Sequence, residues 1–471
     1  MSLGPVYGQL RSNRAPHALL LQHTSRLFKT TGPRSSYQCS RRRESQVSNT
    51  AKQRGGTYDR EVDVEDFEEY SPGGYHPVVI GDTFHDGRYR VLHKLGYGGC
   101  STIWLARDQL RNRSVSLKIL LASESENDSE GEILRYLGDG DSWDQGKRFI
   151  PSLLQEFSIE GPNGRHSCLV QEPAGCSIPE LKENSKNFMF PAETARSIAA
   201  QLIMGLSYIH AHGVCHADLH LRNLLLRGPD LETLEPDILY KQYRLDTVPI
   251  RRIDGAPAQP HAPLYAVYPL NNEMPADQIV DPEVQIIDYG TSFMWPADST
   301  PELHSPALYL PPEDFFSEPI TPAADIWTLG VSLYEVLGER PLFESFASDR
   351  DDLLADTINA LGQPPKRWWD KWAQRQEFFQ PDGSYIEDIK RIHTPKFRPL
   401  QQRLWQMGRG ETRETCEWDV EGGEMRALEE LLRSMLKFEP GERATAEELL
   451  ASEYMVKWAM PAWQRQLQRT G

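Results

Sequence analysis

No two of the six cysteines (Cys39, Cys100, Cys168, Cys176, Cys215 and Cys416) stand in a CxxC pair. That scatter argues against a zinc ribbon or a disulfide framework and fits a reducing compartment, so a bound metal would have to be held by carboxylates. Long hydrophobic runs are missing as well. The longest apolar stretch, Ser197–Ile209, carries Gln201 and runs into histidines, too short and too interrupted to cross a bilayer, and no membrane span is expected. No internal repeat is evident. Acidic residues are absent before Glu44: residues 1–60 hold 11 Lys and Arg against Glu44 and Asp59 alone, a net +9. The remaining 411 residues hold 40 basic and 66 acidic side chains, a net −26. A body of that sign disfavours direct nucleic-acid binding and favours basic peptide partners, although an acidic surface also serves solubility alone.

What is present is enough for two lobes: 471 residues with 39% hydrophobic content can bury a core of that size. Residues 1–68 read as a basic tail without a packed core. Within it, Leu20, Leu21, Leu27 and Phe28 share a helical face apart from His23, Arg26 and Lys29, which also fits a mitochondrial transit segment. From Tyr89 the apolar period becomes two, with Tyr89, Val91 and Leu95, then Ile103 and Leu105, then Val115, Leu117 and Ile119, and predicts an antiparallel sheet. Helical periods follow, from Pro191 to about His212 and from Asp325 to Leu337, the second with Gly338 as its C-cap. The segment from about 227 to 280 has Pro and Asp but no steady period and reads as a surface insertion. The fold class expected is α+β.

Several motifs carry chemistry. Leu95-Gly96-Tyr97-Gly98-Gly99-Cys100-Ser101-Thr102-Ile103 sits at a strand turn where glycines let backbone N–H groups close over phosphate, though such a hairpin is often only a tight turn. Lys118 lies in an apolar strand fifteen residues past Ile103, a cation aimed into a cleft. Its partner is Glu130 or Glu132; Glu130 puts Ile133 and Leu134 three and four residues on, on the same inward side. His216-Ala217-Asp218-Leu219-His220-Leu221-Arg222-Asn223 matches HxDxxxxN. There Asp218 can orient a hydroxyl and Asn223 can offer an oxygen to Mg²⁺. Asp288, in Asp288-Tyr289-Gly290 after an apolar strand, can bridge Mg²⁺ and ATP phosphates.

In this order the pieces resemble the protein kinase set. Pro311-Pro312-Glu313, Asp325-Ile326-Trp327-Thr328-Leu329-Gly330 and an Arg443 placed to pair with Glu313 extend the resemblance over about residues 69–456. Tyr70-Ser71-Pro72-Gly73-Gly74-Tyr75-His76-Pro77, Ile80-Gly81-Asp82 and Ser101-Thr102-Ile103-Trp104-Leu105-Ala106-Arg107-Asp108 look like the SR-protein kinases. So do the 64 residues between Asn223 and Asp288 (288 − 223 − 1), against about a dozen in most kinases; their shortness is similar to fungal members.

The resemblance implies a bilobal kinase fold, with an N-lobe over 69–175, a C-lobe over 176–460 and a C-terminal tail over 461–471. It implies ATP and Mg²⁺, with nucleotide contacts at Leu95, Gly96, Gly98, Ser101, Ile103, Lys118, Glu172 and Ala174, and metal contacts at Asn223 and Asp288. The catalytic set is Asp218, Lys118, Glu130 and His220. The hinge is Glu172-Pro173-Ala174, with Gln171 as gatekeeper. Also implied are a basic, Arg/Ser-rich protein substrate, a part in splicing regulation, a monomer, and residence in cytoplasm or nucleus unless the tail is a transit segment. Three positions depart from the pattern. Ala217 replaces an arginine, so activity independent of activation-loop phosphorylation is expected. His220 replaces a lysine near the γ-phosphate, and Leu310 an arginine before Pro311. These departures keep open a pseudokinase that binds ATP without transfer, and H-x-D-x-H-x-x-N also fits a small-molecule phosphotransferase.

Overall fold

The computed structural model describes residues 56–470 apart from 127, 142, 228–230, 232, 271–273, 298–301, 346–348 and 387–396. The basic segment up to residue 55, with the transit reading of it, lies outside the described residues. A six-stranded antiparallel sheet forms the N-lobe from β1 (Thr83–Phe84), β2 (Tyr89–Gly98), β3 (Ser101–Asp108), β4 (Arg113–Leu120), β5 (Leu153–Gly161) and β6 (Gly164–Gln171). Its order is β1-β2-β3-β4-β6-β5. The alternation seen in the sequence sets its faces: Trp104, Ala106, Leu117 and Ile119 enter one apolar cluster, while Ile103 pairs with Lys118 on the other face. Helix α1 (Glu130–Gly138) crosses to the C-lobe, where Ile133, Leu134 and Leu137 join the main core.

That core surrounds α3 (Ala192–Ala211), which follows the short α2 (Ile178–Glu183). Ile198, Leu202, Leu206 and Ile209 of α3 are fully buried, so this helix is apolar nearly all round, as a central helix must be. Three two-stranded ladders follow. They pair β7 (Val214–Cys215) with β12 (Phe293–Met294), β8 (Leu224–Leu226) with β11 (Val284–Ile286), and β9 (Thr247–Pro249) with β10 (Tyr265–Val267).

The segment between Arg227 and Val280 is not a loose surface insertion. It contains α4 (Pro236–Gln242) and the β9–β10 hairpin, and it straddles the edge of the N-lobe sheet. Leu231, Leu239 and Tyr243 pack on Leu92 and Leu105, whereas Val267 packs with Val91 and Trp104 on the other face. The Tyr240 hydroxyl donates to Leu92 O at 2.8 Å and Leu270 N to Lys94 O at 2.8 Å, covering an otherwise open strand edge. Its apolar residues are split among separate clusters rather than repeated on one face, which is why no period shows.

Helix α5 (Ala323–Leu337) runs through the C-lobe core and is followed by α6 (Arg350–Leu361), α7 (Glu424–Met435) and α8 (Met460–Thr470). Gly338 does cap α5, but with extended backbone (φ −123°) rather than a left-handed turn. A Cβ there would lie 2.7 Å from Met407 O, so close approach explains the glycine. The final stretch, read from sequence as a tail, is helix α8. It buries Trp463 against Phe149, ring centroids 5.7 Å apart, and joins Gln466 to the Ser197 hydroxyl at 2.6 Å.

Candidate active site

The cleft face of the sheet carries a register row in which Gly96 pairs with Ile103, Ile103 with Lys118 and Lys118 with Leu169. Side chains in such a row share one face, so Ile103 lies beside Lys118. Gly98 pairs with Ser101 across the tip of the hairpin. A Cβ added at Gly96 or Gly98 would meet no protein atom within 4 Å, and neither has a positive φ. Nothing in the fold itself demands glycine there, which leaves close approach of a ligand to the backbone as the reason. Leu95 sits at a register shift between Lys94 and Gly96 and packs with the spacer cluster of Leu231 and Tyr243. Glu172 and Ala174 follow β6 directly, as a connection between lobes; the Ser116 hydroxyl lies 3.4 Å from the carbonyls of both Gln171 and Glu172.

Lys118 Nζ donates to Glu130 Oε2 at 2.6 Å and to Asp288 Oδ1 at 2.7 Å. Burial opposes the charge on Lys118, but the two carboxylates outweigh it and raise its pKa. Glu132, the rival partner, is exposed. Glu130 is buried at 1% exposure, and its other oxygen accepts from Tyr289 N at 3.4 Å, so one carboxylate joins strand, helix and the Asp288 segment.

The catalytic loop is held from beneath. Asp325, at the start of α5, accepts from the backbone N–H of His216 and of Ala217, each at 2.8 Å, and lies 3.0 Å from His210 Nε2. Ala217 stands at φ +64°, a left-handed conformation that costs a residue with a Cβ roughly 1–2 kcal/mol and that the Asp325 bond holds. His216 Nε2 lies 3.1 Å from Ile287 O, tying the loop to the residue before Asp288. The β8–β11 ladder, with Leu224 paired to Ile286, brings Asn223 and Asp288 to the same end.

Asp218 has three neighbours. Asn223 Nδ2 donates to its backbone O at 2.9 Å and to Oδ2 at 3.0 Å, and the Ser305 hydroxyl donates to Oδ1 at 2.7 Å. His220 Nδ1 accepts from Arg222 N at 3.2 Å, which leaves Nε2 facing Asp218 Oδ1 at 3.5 Å, longer than a hydrogen bond. Burial pushes the Asp218 carboxyl up, yet His220 and the Ser305 hydroxyl overcome this and hold it at about 2. Ser305 was missed in the sequence; a lone serine in the stretch before Pro311 carries no spacing signal.

The donors fit a hard cation. Asn223 uses its amide hydrogens on Asp218, leaving its carbonyl oxygen as the atom to offer, and Asp288 contributes a carboxylate that is 43% exposed. No group of three or more His, Cys, Asp or Glu able to hold a metal occurs among the described residues. That sparseness suits Mg²⁺, which keeps waters and substrate phosphates as ligands alongside one or two protein oxygens. Farther off, Arg443 grips Glu313 through two bonds of 2.7 and 2.6 Å, both side chains fully buried, and stacks 5.0 Å over the Trp327 ring.

A protein kinase domain model matches residues 89–233 and 272–455, and the chain belongs to that family. The break between the two matched segments falls within the spacer. A serine/threonine protein kinase of Aspergillus fumigatus is 26% identical over 400 residues, covering 84% of this chain and 91% of that protein. The serine/threonine-protein kinase SRPK of Physarum polycephalum is 29% identical over 420 residues, 82% of this chain and 90% of that protein. Protein kinase dsk1 of Schizosaccharomyces pombe is 40% identical over 166 residues, 34% of this chain and 30% of that protein. A solved kinase domain superposes with a TM-score of 0.56 at 18% identity, over 81% of this chain and 98% of that one, a likeness of fold. Within the kinase family the chain resembles the SR-protein kinases.

Proposed function

We propose that the chain is a serine/threonine protein kinase that transfers the γ-phosphoryl group of ATP to basic, Arg/Ser-rich protein substrates. The observation that carries the reading is the convergence of Lys118, Glu130 and Asp288 within 2.7 Å contacts, beside an Asp218 oriented by Asn223. Lys118, kept protonated by its two carboxylates, is the cation for the ATP phosphates, and Glu130 positions it. Asn223 and Asp288 would hold Mg²⁺, which when bound neutralises phosphate charge. Gly96, Gly98 and Ser101 would close over the phosphates, Ile103 and Leu95 would flank the nucleotide, and Glu172 and Ala174 would meet the adenine.

Asp218 holds and orients the substrate hydroxyl. A carboxylate with a pKa of about 2 is a weak base for an unperturbed alcohol, so the proton passes to it late, once the oxygen is bonding to phosphorus and has become acidic. His220 presents an N–H beside Asp218 where a lysine is usual. Since it keeps a donor at that place, and the rest of the constellation is intact, the geometry supports transfer over an inert scaffold. The buried Glu313–Arg443 pair and the α5 signature support a protein kinase over a small-molecule phosphotransferase. The basic substrate follows from the net −26 beyond residue 60 and from the likeness to kinases named SRPK. No helix among the described residues is long and apolar enough to cross a membrane; cytoplasm or nucleus is the proposed location.

The test is γ-phosphate transfer from Mg-ATP to an Arg-Ser repeat peptide by the natural protein and by Asp218→Asn. We expect a loss of about 10²–10⁴-fold in the variant with nucleotide binding retained. Nucleotide binding without transfer by the natural protein, on this peptide and on general protein substrates, would replace the reading with that of a scaffold.

A further inference from the structure

Resting on the kinase reading above, we propose that Arg222 determines which serine this active site selects, its guanidinium receiving an acidic group, carboxylate or phosphate, that the substrate chain carries close to the acceptor serine. The short turn Leu221–Asn223 buries its first and last residues and leaves Arg222 between them exposed. Leu221 enters the C-lobe core and Asn223 reaches Asp218. The side chain between them leaves the loop toward solvent, next in sequence to the proposed metal ligand Asn223.

Two tyrosines bracket it. The Tyr309 ring lies 5.8 Å from that of His220, whose Nδ1 accepts from Arg222 N at 3.2 Å, and the Tyr309 hydroxyl is held on Glu335 Oε2 at 3.0 Å. Ser305 donates to Asp218, so the stretch 305–309 lies along the catalytic loop from Asp218 to His220. On the N-lobe side stands Tyr97, in the glycine-rich hairpin. Burial, Asp63 and Glu65 push its hydroxyl up to about 12, and Arg222 pulls the other way. Burial and Glu335 raise the Tyr309 hydroxyl, again against Arg222. The guanidinium therefore acts on both tyrosines from the mouth of the cleft, where a chain that brings a hydroxyl to Asp218 has to pass.

Its charge is available. Among the described residues no ion pair holds the Arg222 guanidinium, whereas Lys118 is taken by Glu130 and Asp288. The nearby carboxylates are engaged: Asp218 accepts from Asn223 and Ser305, and Asp288 from Lys118. An acidic side chain entering here meets carboxylates already bonded and a guanidinium free to form the strong, two-pronged pair it makes with carboxylate or phosphate. An arginine in the same place meets a like charge. The net −26 beyond residue 60 still draws basic chains from a distance. The two effects separate: the body brings a basic chain, and Arg222 sets which of its serines reacts.

The full chain is assayed with Mg-ATP on peptides that share one Arg-rich sequence and a single acceptor serine. In these peptides Ala, Arg, Glu or phosphoserine stands in turn at each of the three positions before and after that serine. We expect one position at which Glu or phosphoserine raises kcat/KM about tenfold over Ala, the equivalent of ~1.4 kcal/mol, and at which Arg lowers it. Arg222→Ala should level that position, and Arg222→Glu should invert it so that Arg is favoured there. Phosphoserine favoured with Glu no better than Ala assigns the acidic group to phosphate, and Glu favoured as well assigns it to either acid; both support the inference. No acid preference at any position, or one that survives both variants, overturns it. Equal losses on every peptide with a raised KM for ATP would place Arg222 on the nucleotide and overturn it too. Transfer to none of the peptides by the natural chain removes the kinase reading itself.

Discussion

The catalytic loop and the glycine-rich hairpin face each other across the cleft, and they are held in different ways. Residues 216–223 are fixed by their own motif partners: Asp325 takes two of the loop's amides, Asn223 takes Asp218, and His216 takes Ile287. The tip of the β2–β3 hairpin is tied by its neighbours: Leu121 N, just past β4, donates to Cys100 O at 2.9 Å. It is also held by residues of the N-terminal stretch 58–80 and of the spacer. Tyr75 ties Gly98. Lys94 of β2 pairs with Glu65, whose other oxygen accepts from the Tyr70 hydroxyl at 2.5 Å. Asn163, at the β5–β6 turn, donates to Tyr75 O at 2.6 Å and to His261 O at 2.8 Å, linking N-terminal stretch, sheet and spacer. The loop that carries Asp218 is thus held largely by residues of its own motif and of α5, and the hairpin by residues of the N-terminal stretch, the sheet and the spacer.

The sharpest way to break this contrast is at Asp325. Replacing it with Ala strips the acceptor from two buried amides and from His210, and releases the left-handed Ala217. At ~1–3 kcal/mol for each orphaned group, the loss is expected to be about 4–6 kcal/mol, read by denaturant unfolding, with transfer abolished in whatever folds. Asp325→Asn keeps an acceptor oxygen and should recover part of both. A stable, active Asp325→Ala would mean that the loop is held by its neighbours on either side, as the hairpin is.

On the other half, the buried Glu65–Lys94 pair is the corresponding anchor. Lys94 is fully buried, and burial already lowers its pKa against the pull of Glu65. Glu65→Ala leaves that cation without its carboxylate and is expected to cost about 3–5 kcal/mol, whereas Glu65→Leu combined with Lys94→Met should return to within about 1 kcal/mol of the natural protein. The recovery separates the pair's charge from the packing around it. If the double variant is as unstable as the single one, the N-terminal stretch is held by Glu65's bond to Tyr70 and not by the ion pair.

These two halves were unequally visible in the sequence. The proposed site residues could be read because each is a chemical type at a set distance along one chain segment; in the fold Lys118 meets Glu130 and Asp288, and Asn223 meets Asp218. The strands and α3 and α5 were visible because a face buried in a sheet or helix imposes a period. The spacer was not, since its apolar residues divide between clusters on both faces of the N-lobe sheet and each piece is too short to show a period. Helix α8 was missed because Trp463 and Gln466 are its main buried anchors among polar neighbours, a pattern that only the groove beside α3 explains. Ser305 and Glu65 were invisible for a simpler reason: each works through a partner 87 or 29 residues away.

Tyr75 offers the smallest and most selective probe of the comparison, because its hydroxyl bonds the N-terminal stretch to Gly98 O of the hairpin tip. Tyr75→Phe keeps the ring against Tyr70 and removes only the bond to Gly98 O, worth about 1 kcal/mol. If that bond holds the hairpin where phosphate oxygens can meet its amides, the loss falls on nucleotide binding: KM for ATP should rise about fivefold, the equivalent of ~1 kcal/mol, with kcat on the peptide within about twofold. Among the described residues Tyr75 bonds to Gly98, Glu69 and Asn163, so the contribution of residues 216–223 to the chemical step is expected to be untouched. A fall in kcat at constant KM would instead place the tether's effect in the transition state, making the outer segments part of the transfer step and erasing the division between the two halves of the cleft.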